Sequence, residues 1–590
     1  MHGSSRAKSN GRNLLSRNNK VGIMSENKKC TFCSKEFTIP DEDLEFYKKI
    51  SPTYAGKTYQ IPSPVMCPEC RQITRQSWRN ETNVYVRKSD MSGRQIVSMF
   101  SPDKTNIKVF ANDEWWSDKW DGLNFGRDFD KSRSFFDQFK NLLYEVPKFA
   151  CFNINTENCI FDNYIMDSKD CYMCFANYYN CENCFYCYMN FTGKDSCELH
   201  KCEKCEKCFR LNTCNGCFNC NYGIRLENCA NCWLSIDLTG CKDCILCSNL
   251  NHKQYCINNE QLTEDEYKEQ LKQYNFGSHE KTQDYLKQFA KLRENSPVKF
   301  ANNKNCENCD GDFHLDCKNV HNAFDQRRAE NVKYSPIAVA CINSQDIQGG
   351  DMEWCYLVIT GGYANNNLAC HIVEHSNSMK YCNNCFYCND CFGCVGLKNK
   401  KYCVLNKQCA SKEEYEQKVS EIIEKMIEDK EWGEFFPLEF NVLGFNESFG
   451  YTNYKMTKDE ALKFGFKWQD NDFGLDFSGN FYEPADDIAD YAKDESKQKE
   501  LLAGVLKCET TGKAFTIQPQ ELLFYVKQGL PIPKKHFKVR IDEMFTWRNP
   551  RKLWHRKCMN EGCNNEFETT YAPDRNEQVF CETCYQKEIK

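Results

Sequence analysis

Four short cysteine knuckles frame this chain and limit what its ends can fold into. Near the start, Cys30-x2-Cys33 is followed by Cys67-x2-Cys70, and near the end Cys558-x4-Cys563 is followed by Cys581-x2-Cys584. A gap of two residues lets both thiolates of a knuckle turn toward one ion. Two knuckles then complete a tetrahedron of sulfurs about 2.3 Å from a Zn2+. Four protein ligands leave no position for water or substrate, so the expected role is structural. The expectation is about two Zn2+ per chain, held by Cys30, Cys33, Cys67 and Cys70 and by Cys558, Cys563, Cys581 and Cys584.

The remaining cysteines raise the question of compartment, because 42 of them in 590 residues could form disulfides or stay reduced. Residues 1–30 contain Arg6, Lys8, Arg12, Arg17 and Lys20, but their longest apolar runs are Leu14-Leu15 and Ile23-Met24. That is far short of a secretory h-region, and no run approaches the roughly 18 apolar residues of a membrane span. A cytoplasmic location is expected, where clustered cysteine favours metal or free thiol. The net charge of −6 excludes the overall basic field of a dedicated nucleic-acid binder. The first 29 residues, rich in Ser, Asn, Gly and Lys/Arg, read as a disordered basic tail, with Met24 as a possible start.

The two ends are copies of one module. Cys30, Phe37-Thr-Ile39, Leu44, Phe46 and Tyr47 recur at one offset as Cys508, Phe515-Thr-Ile517, Leu522, Phe524 and Tyr525. Trp78-Arg-Asn80 and Arg87-Lys88 recur as Trp547-Arg-Asn549 and Arg556-Lys557. The ligand positions are complementary in their losses. Where the first copy has Cys30, Cys33, Cys67 and Cys70, the second has Cys508, Thr511, His536 and Val539. Where the second has Cys558, Cys563, Cys581 and Cys584, the first has Ser89, Arg94, Ala111 and Glu114. Each module thus reads as two successive ribbons of which one keeps its metal, with Cys508 and His536 as remnants. Asp41–Lys49 is expected to be a helix, and 95–100 and 566–571 hairpin strands.

Between the modules the cysteines change register, with triplets at spacing three such as Cys202/Cys205/Cys208 and a run of five from Cys382 to Cys394. Asn, Asp, Lys or Gly often precede the cysteine, although Tyr381 precedes Cys382. This region is also duplicated, since Cys241, Cys244, Cys247, Tyr255-Cys256 and Asn259 recur as Cys388, Cys391, Cys394, Tyr402-Cys403 and Asn406. Short strands with polar turns and recurring small residues describe a parallel β-helix or solenoid, with a string of zinc knuckles as the rival. The spacings Cys159–Cys181, Cys181–Cys202 and Cys202–Cys229 are 22, 21 and 27 residues, irregular but compatible with coils of that size carrying variable loops, so they do not fix the coil length. Both copies run into a helix opened by a capping box, Thr263-x-x-Glu266 and Ser411-x-x-Glu414. Cys306-x2-Cys309-x4-His314-x2-Cys317 approaches a nucleic-acid-binding knuckle, but a solenoid coil explains it better. Iron–sulfur ligation is disfavoured because no triplet carries the fourth Cys and Pro of ferredoxins.

No phosphate-binding loop, dinucleotide fingerprint, nucleophile elbow or H-E-x-x-H is present. Cys370, His371, Glu374 and His375 are the nearest approach to a catalytic cluster and read as solenoid residues. The C-P-x-C at Cys67, W-R-N at 78–80, "SPDK" at 101–104, "WWSDKWDGLNFGRDFD" at 115–130 and the N-C-x-x-C solenoid resemble a Cys-rich double zinc-ribbon family of candidate-phyla bacteria. Some members are labelled CaiB/BaiF-like. The acyl-CoA transfer that label implies has no counterpart among these residues.

The expected fold is mostly β, with zinc-ribbon modules at both ends flanking a duplicated Cys-rich β-helix or solenoid and a few short helices. Its parts are a tail (1–29), a first module (30–135), solenoid copy one (150–262), a helical connector (263–297) and solenoid copy two (300–410). A helix (411–430), an aromatic and charged linker (431–505) packing between solenoid and C-terminal ribbon, and a second module (506–590) complete it. The expected function is a non-enzymatic zinc-binding scaffold with a protein or RNA partner, no membrane and no small-molecule substrate. Tyr85-x-Arg87-Lys88 and Trp547-Arg548 with Arg551-Lys552 and Trp554 are the RNA candidates. A β-helix carbohydrate-active enzyme is the other alternative, and it requires carboxylates converging on one groove.

Overall fold

The computed structural model describes residues 25–177 and 179–589, so most of the basic tail and Met24 lie outside the described residues. The centre is a β-solenoid in two stacks, one built from strands between Asn153 and Gln261 and the other from strands between Glu307 and Gln408. Neighbouring coils pair in parallel register. Ile236 lies opposite Ser248, and Cys244 opposite Cys256. The repeat is therefore twelve residues, about half the shorter cysteine spacings.

The short coil has a backbone cause. Nearly every third residue has a positive φ, as in the series Asn219, Tyr222, Arg225, Asn228, Asn231, Leu234 and Asp237. Each such residue turns a corner, so a coil has four sides of three residues. Asn, Asp and Gly adopt this left-handed conformation most readily, which explains why they so often precede a cysteine. Asn side chains at these corners also bond to each other from coil to coil. The Asn308 amide donates to Asn319 at 2.9 Å, Asn319 to Asn331 at 3.0 Å, and Asn331 to Asn343 at 2.8 Å.

Within a triplet the corner residue's N–H bonds back to the previous coil, as Asn228 to the Asn215 carbonyl at 2.8 Å. The third residue's N–H bonds forward, as Ala230 to the Cys241 carbonyl at 3.0 Å. The middle residue points inward, and its N–H is left to side chains. Cys232 N donates to Cys220 Sγ at 3.4 Å, and Leu226 N to Cys214 Sγ at 3.3 Å. Each thiol also donates, as Cys229 Sγ does to the Glu227 and Leu238 carbonyls at 3.4 and 3.5 Å. Serine does the same work at Ser235, bonding the Trp233 carbonyl and accepting from Cys247 N. Cysteine is thus a small apolar filler that also serves as a weak donor and acceptor where buried backbone groups need one.

Stack ends are sealed. Asn259 and Asn406 occupy equivalent last positions. Each amide accepts from and donates to the backbone of the preceding coil, at Ser248 and at Val395, standing in for a missing strand. The helices Glu264–Leu271 and Lys412–Glu428 then cover the ends, with Tyr267 against Tyr255 and Tyr415 against Tyr402. The Thr263 capping box forms, whereas at Ser411 the hydroxyl caps Glu414 N but the Glu414 carboxylate turns to Ala410 N at 2.7 Å in place of Ser411 N.

The terminal modules dock crosswise. The N-terminal module shares a core with the second stack, where Phe46, Tyr47 and Trp78 pack with Tyr356, Tyr381 and Val404. The C-terminal module shares one with the first stack, through Leu522, Phe524 and Tyr525 with Phe185, Tyr186 and Phe209. The linker corrects an expectation. Trp432, Phe435, Phe436 and Phe440 join the N-terminal module and second stack, and only its later part, with Tyr491 and Leu501, packs toward the C-terminal module. The reason is that the linker follows directly from the helix sealing the second stack, and the Trp432 indole donates to the Gln60 carbonyl at 3.0 Å.

Candidate metal centres

Three of the module hairpins make the same six-residue turn, and the turn at Cys558 is two residues longer. Cys30 N bonds the Lys35 carbonyl, Ser89 N that of Arg94, Cys508 N that of Lys513 and Cys558 N that of Asn565, all at 2.8–2.9 Å. Ser34, Gly93, Gly512 and Gly562 supply the positive φ that lets the chain reverse. After each hairpin a helix begins at or beside the second ligand pair. Cys67 is the N-cap of Pro68–Gln76, His536 of Phe537–Phe545, Ala111 of Asn112–Trp116 and Cys581 of Glu582–Tyr585.

Two of these four units gather sulfur. Cys30, Cys33, Cys67 and Cys70 form one group, and Cys558, Cys563, Cys581 and Cys584 the other, with ligand atoms all within 4.8 Å of one another. Among the described residues these are the groups close enough to hold an ion, and no cysteine is in a disulfide. Cys33 and Cys67 Sγ are 3.8 Å apart, as are Cys563 and Cys581 Sγ. A tetrahedron with metal–sulfur bonds of about 2.3 Å has edges of about 3.8 Å. Backbone N–H groups point at the sulfurs, Cys67 N at Cys30 Sγ and Cys581 N at Cys558 Sγ, both at 3.3 Å. The Asn565 amide adds a bond to Cys581 Sγ at 3.3 Å. The Cys70 thiol, with further hydrogen bonds, holds Cys67 at about 5 against the effect of burial. At Cys581 burial pushes upward, yet hydrogen bonds from Asn565 and Cys584 bring the thiol to about 6. In the first group the lowering at Cys67 is matched by a rise at Cys70, caused by Cys67 itself, and at Cys33, caused by burial, so a bound metal would have to hold the remaining sulfurs as thiolates.

The other two units replace sulfur with different chemistry. In the first module Ser89 Oγ donates to the Glu114 carboxylate, which also accepts from Ala111 N at 3.1 Å and faces Arg94 Nε at 3.5 Å. The former ligand positions thus become a hydrogen-bonded cluster centred on a carboxylate. In the second module burial raises the Cys508 thiol, but the Thr511 hydroxyl and the His536 N–H hold it below its ordinary value. His536 turns its Nδ1 to Lys538 N at 3.2 Å. Cys508 and His536 belong to no metal-ligating group among the described residues.

Helices that open at the second ligand pair carry docking contacts in both modules, on the sulfur-bearing ribbon in the first and on the ribbon without a sulfur group in the second. From Pro68–Gln76, Arg71 Nε and Arg75 Nη1 reach the buried Asp346 of the second stack at 3.0 and 2.7 Å. The equivalent helix, Phe537–Phe545, sends Arg540 to the buried Glu198 of the first stack. Asp43 accepts from Tyr334 Oη at 2.7 Å, and its counterpart Glu521 accepts from Tyr186 Oη at 2.8 Å. Arg71 and Arg540, Asp43 and Glu521, and Asp346 and Glu198 sit at matching positions of the duplications. Extending the self-comparison past the cysteines would have found them. The second sulfur group touches both stacks, through Tyr585 Oη to Asn249 at 3.0 Å and Thr570 Oγ1 to Asp312 at 2.6 Å.

Other candidates separate. Cys370 faces the solenoid interior, His371 is buried beside Asn383 and Trp78, and His375 stacks between Tyr363 and Tyr387. His314 spends Nε2 on the Ala323 carbonyl at 2.9 Å, away from Cys306 and Cys309, so that stretch is a coil. The basic and aromatic residues weighed for RNA are largely committed inside. Arg87 bonds Ser101 and Asp90, Arg548 bonds Thr452 and Asn453, Arg551 pairs with Asp325, and Trp547 packs on Phe289. No helix is long and apolar enough to cross a membrane among the described residues. No family model matches the chain, and no curated protein matches it.

Proposed function

We propose that the chain is a zinc-binding, non-enzymatic interaction scaffold of a reducing compartment. Closed zinc ribbons clamp its two ends onto opposite solenoid stacks, and the stacks present the binding faces. The observation that carries this reading is the pair of four-sulfur groups, each with all ligand atoms within 4.8 Å and one sulfur–sulfur edge of 3.8 Å, the edge length of a Zn2+ tetrahedron. Such a site has no open position for chemistry. The helix at the first site leads instead to a buried ion pair of Arg71 and Arg75 with Asp346 of the solenoid, where removing one partner of a pair costs about 3–5 kcal/mol. A protein partner is favoured over RNA because Arg87 and Arg551 are buried, and Arg548 half-buried, in intramolecular contacts.

Elemental analysis of the purified full chain tests this. About two zinc per chain are expected, falling to about one when Cys33 or Cys563 is replaced by serine. Stoichiometric iron, or zinc far above two as serial knuckles would require, overturns it. Co-purifying nucleic acid that is released by salt would replace the protein partner by RNA.

A further inference from the structure

Where the first coil of stack one meets the last coils of stack two, the segment after Trp115 closes a cleft of about 740 Å³, within the range of ligand pockets. Its walls combine aromatic faces with unused hydrogen-bonding groups. Trp116 is 40% exposed and held edge-on against Phe386 at 4.8 Å. Tyr387 ends a stacked ladder, Tyr363–His375–Tyr387, with ring spacings of 4.9 and 5.0 Å. The ladder stops there because the next coil offers Asn399 at that corner, leaving Tyr387 half exposed.

The decisive group is Glu374. It lines the cleft, is only 7% exposed, and its carboxyl has no hydrogen bond or ion pair among the described residues. Asn153, also on the wall, has a buried Oδ1 without a partner. The Glu374 oxygens open onto the cleft rather than being sealed away, so a ligand hydroxyl can bond them without displacing a protein partner. The cations of the cleft are already committed. Lys398 Nζ donates to the Trp115 and Ser117 carbonyls at 2.9 and 3.1 Å, and Lys400 pairs with Asp121 at 2.9 Å. No cation remains to hold a phosphate. Burial raises the Glu374 carboxyl to about 7, against Arg79, so near neutrality it both donates and accepts. Only the ionised fraction would attract a cation, so a cationic ligand is the rival that tetramethylammonium tests.

We propose that this cleft binds a neutral carbohydrate chain, one sugar ring stacking on Trp116 while its hydroxyls meet the Glu374 carboxyl and the Asn153 amide. The inference goes beyond the scaffold reading and does not depend on its metal sites, which lie elsewhere. The test is isothermal titration calorimetry of the full chain with cello-, xylo-, manno-, malto- and chito-oligosaccharides, and with inorganic phosphate and tetramethylammonium as charged probes. At least one oligosaccharide is expected to bind. Trp116→Ala and Glu374→Ala should each weaken it by about tenfold or more, with zinc content unchanged. Should Trp116→Ala misfold, as judged by circular dichroism, Glu374→Ala and Tyr387→Ala carry the test. Absence of binding to every oligosaccharide, binding of a charged probe alone, or full affinity in the folded variants overturns the proposal.

Discussion

Asn331 shows what a single position contributes. Its backbone sits at φ 54, its amide donates to Asn343 at 2.8 Å, and its carbonyl oxygen accepts from Asn319 at 3.0 Å. A β-branched residue there must adopt a left-handed backbone and give up both bonds. Asn331→Val should therefore lower stability by about 1–2 kcal/mol, and Asn331→Gly by clearly less, as read from urea denaturation midpoints. The same backbone rule removes an apparent exception. Tyr381 before Cys382 seemed to break the Asn-Cys pattern, yet it has φ 54 like its Asn counterparts. The repeat is a conformation, and residue identity reports it only where Asn, Asp or Gly was chosen. His371 yields a pH prediction. Burial first, then Arg79 and Lys148, hold it at about 3 against an ordinary 6.5. Between those values the unfolded chain binds a proton that the fold does not, so stability rises with pH across this window and falls on acidification. Glu374, raised to about 7, acts in the opposite sense over part of it. The comparison must therefore be internal. His371→Gln should gain on the wild type by about 1–2 kcal/mol as pH drops from about 7 to about 5, measured by thermal or urea unfolding at each pH.

At the scale of elements, what the sequence made legible depended on how local the signal was. The helix Asp41–Lys49 and the capped starts at Thr263 and Ser411 agree with expectation because acidic first turns and N-cap hydroxyls act within four residues. The module hairpins were legible because the ligand pairs and the turn lie close together in the chain. Coil length was not. With every third residue facing inward, spacings of three, six and nine all fit one coil, and cysteine fills only some of those positions. The count also slips where Tyr179 and Asn180 both take positive φ and where Leu315 pairs with Lys304 eleven residues away. The docking pairs were hidden for another reason. A lone buried Asp346 carries no spacing signal, and only its partner across the fold gives it meaning. The hairpin comparison leads to a gain-of-function prediction. The Ser89 turn has the length of the Cys30 turn, so Ser89, Ser92, Ala111 and Glu114 stand where Cys30, Cys33, Cys67 and Cys70 do, while Arg94 closes the turn as Lys35 does. Replacing Ser89, Ser92, Ala111 and Glu114 by cysteine should raise bound zinc by about one per chain, measured by native mass spectrometry with the wild type alongside.

Taken whole, the molecule is two copies of a module and a stack, paired across rather than along the chain. The N-terminal module rests on stack two and the C-terminal module on stack one, each through an arginine and a carboxylate at matching positions. The stacks also meet directly, with Lys304 against Glu227, Arg327 against Glu203 and Lys201 against Asp325. Solenoid coils contact mainly their neighbours and leave open ends that must be covered, whereas crossed docking ties residues far apart in sequence into shared cores. In this account one metal fixes the Pro68–Gln76 helix, which ties the first module to stack two, and the other fixes the Glu582–Tyr585 helix, whose Tyr585 meets Asn249 of stack one. Hydrogen–deuterium exchange of the full chain, before and after stripping metal with a chelator, tests that claim most directly. Exchange should rise in the Pro68–Gln76 helix and in the facing coils around Tyr334 and Asp346, and in the Glu582–Tyr585 helix with Asn249, while the interior coils stay protected. Unchanged exchange at both helices after the metal has left would contradict it.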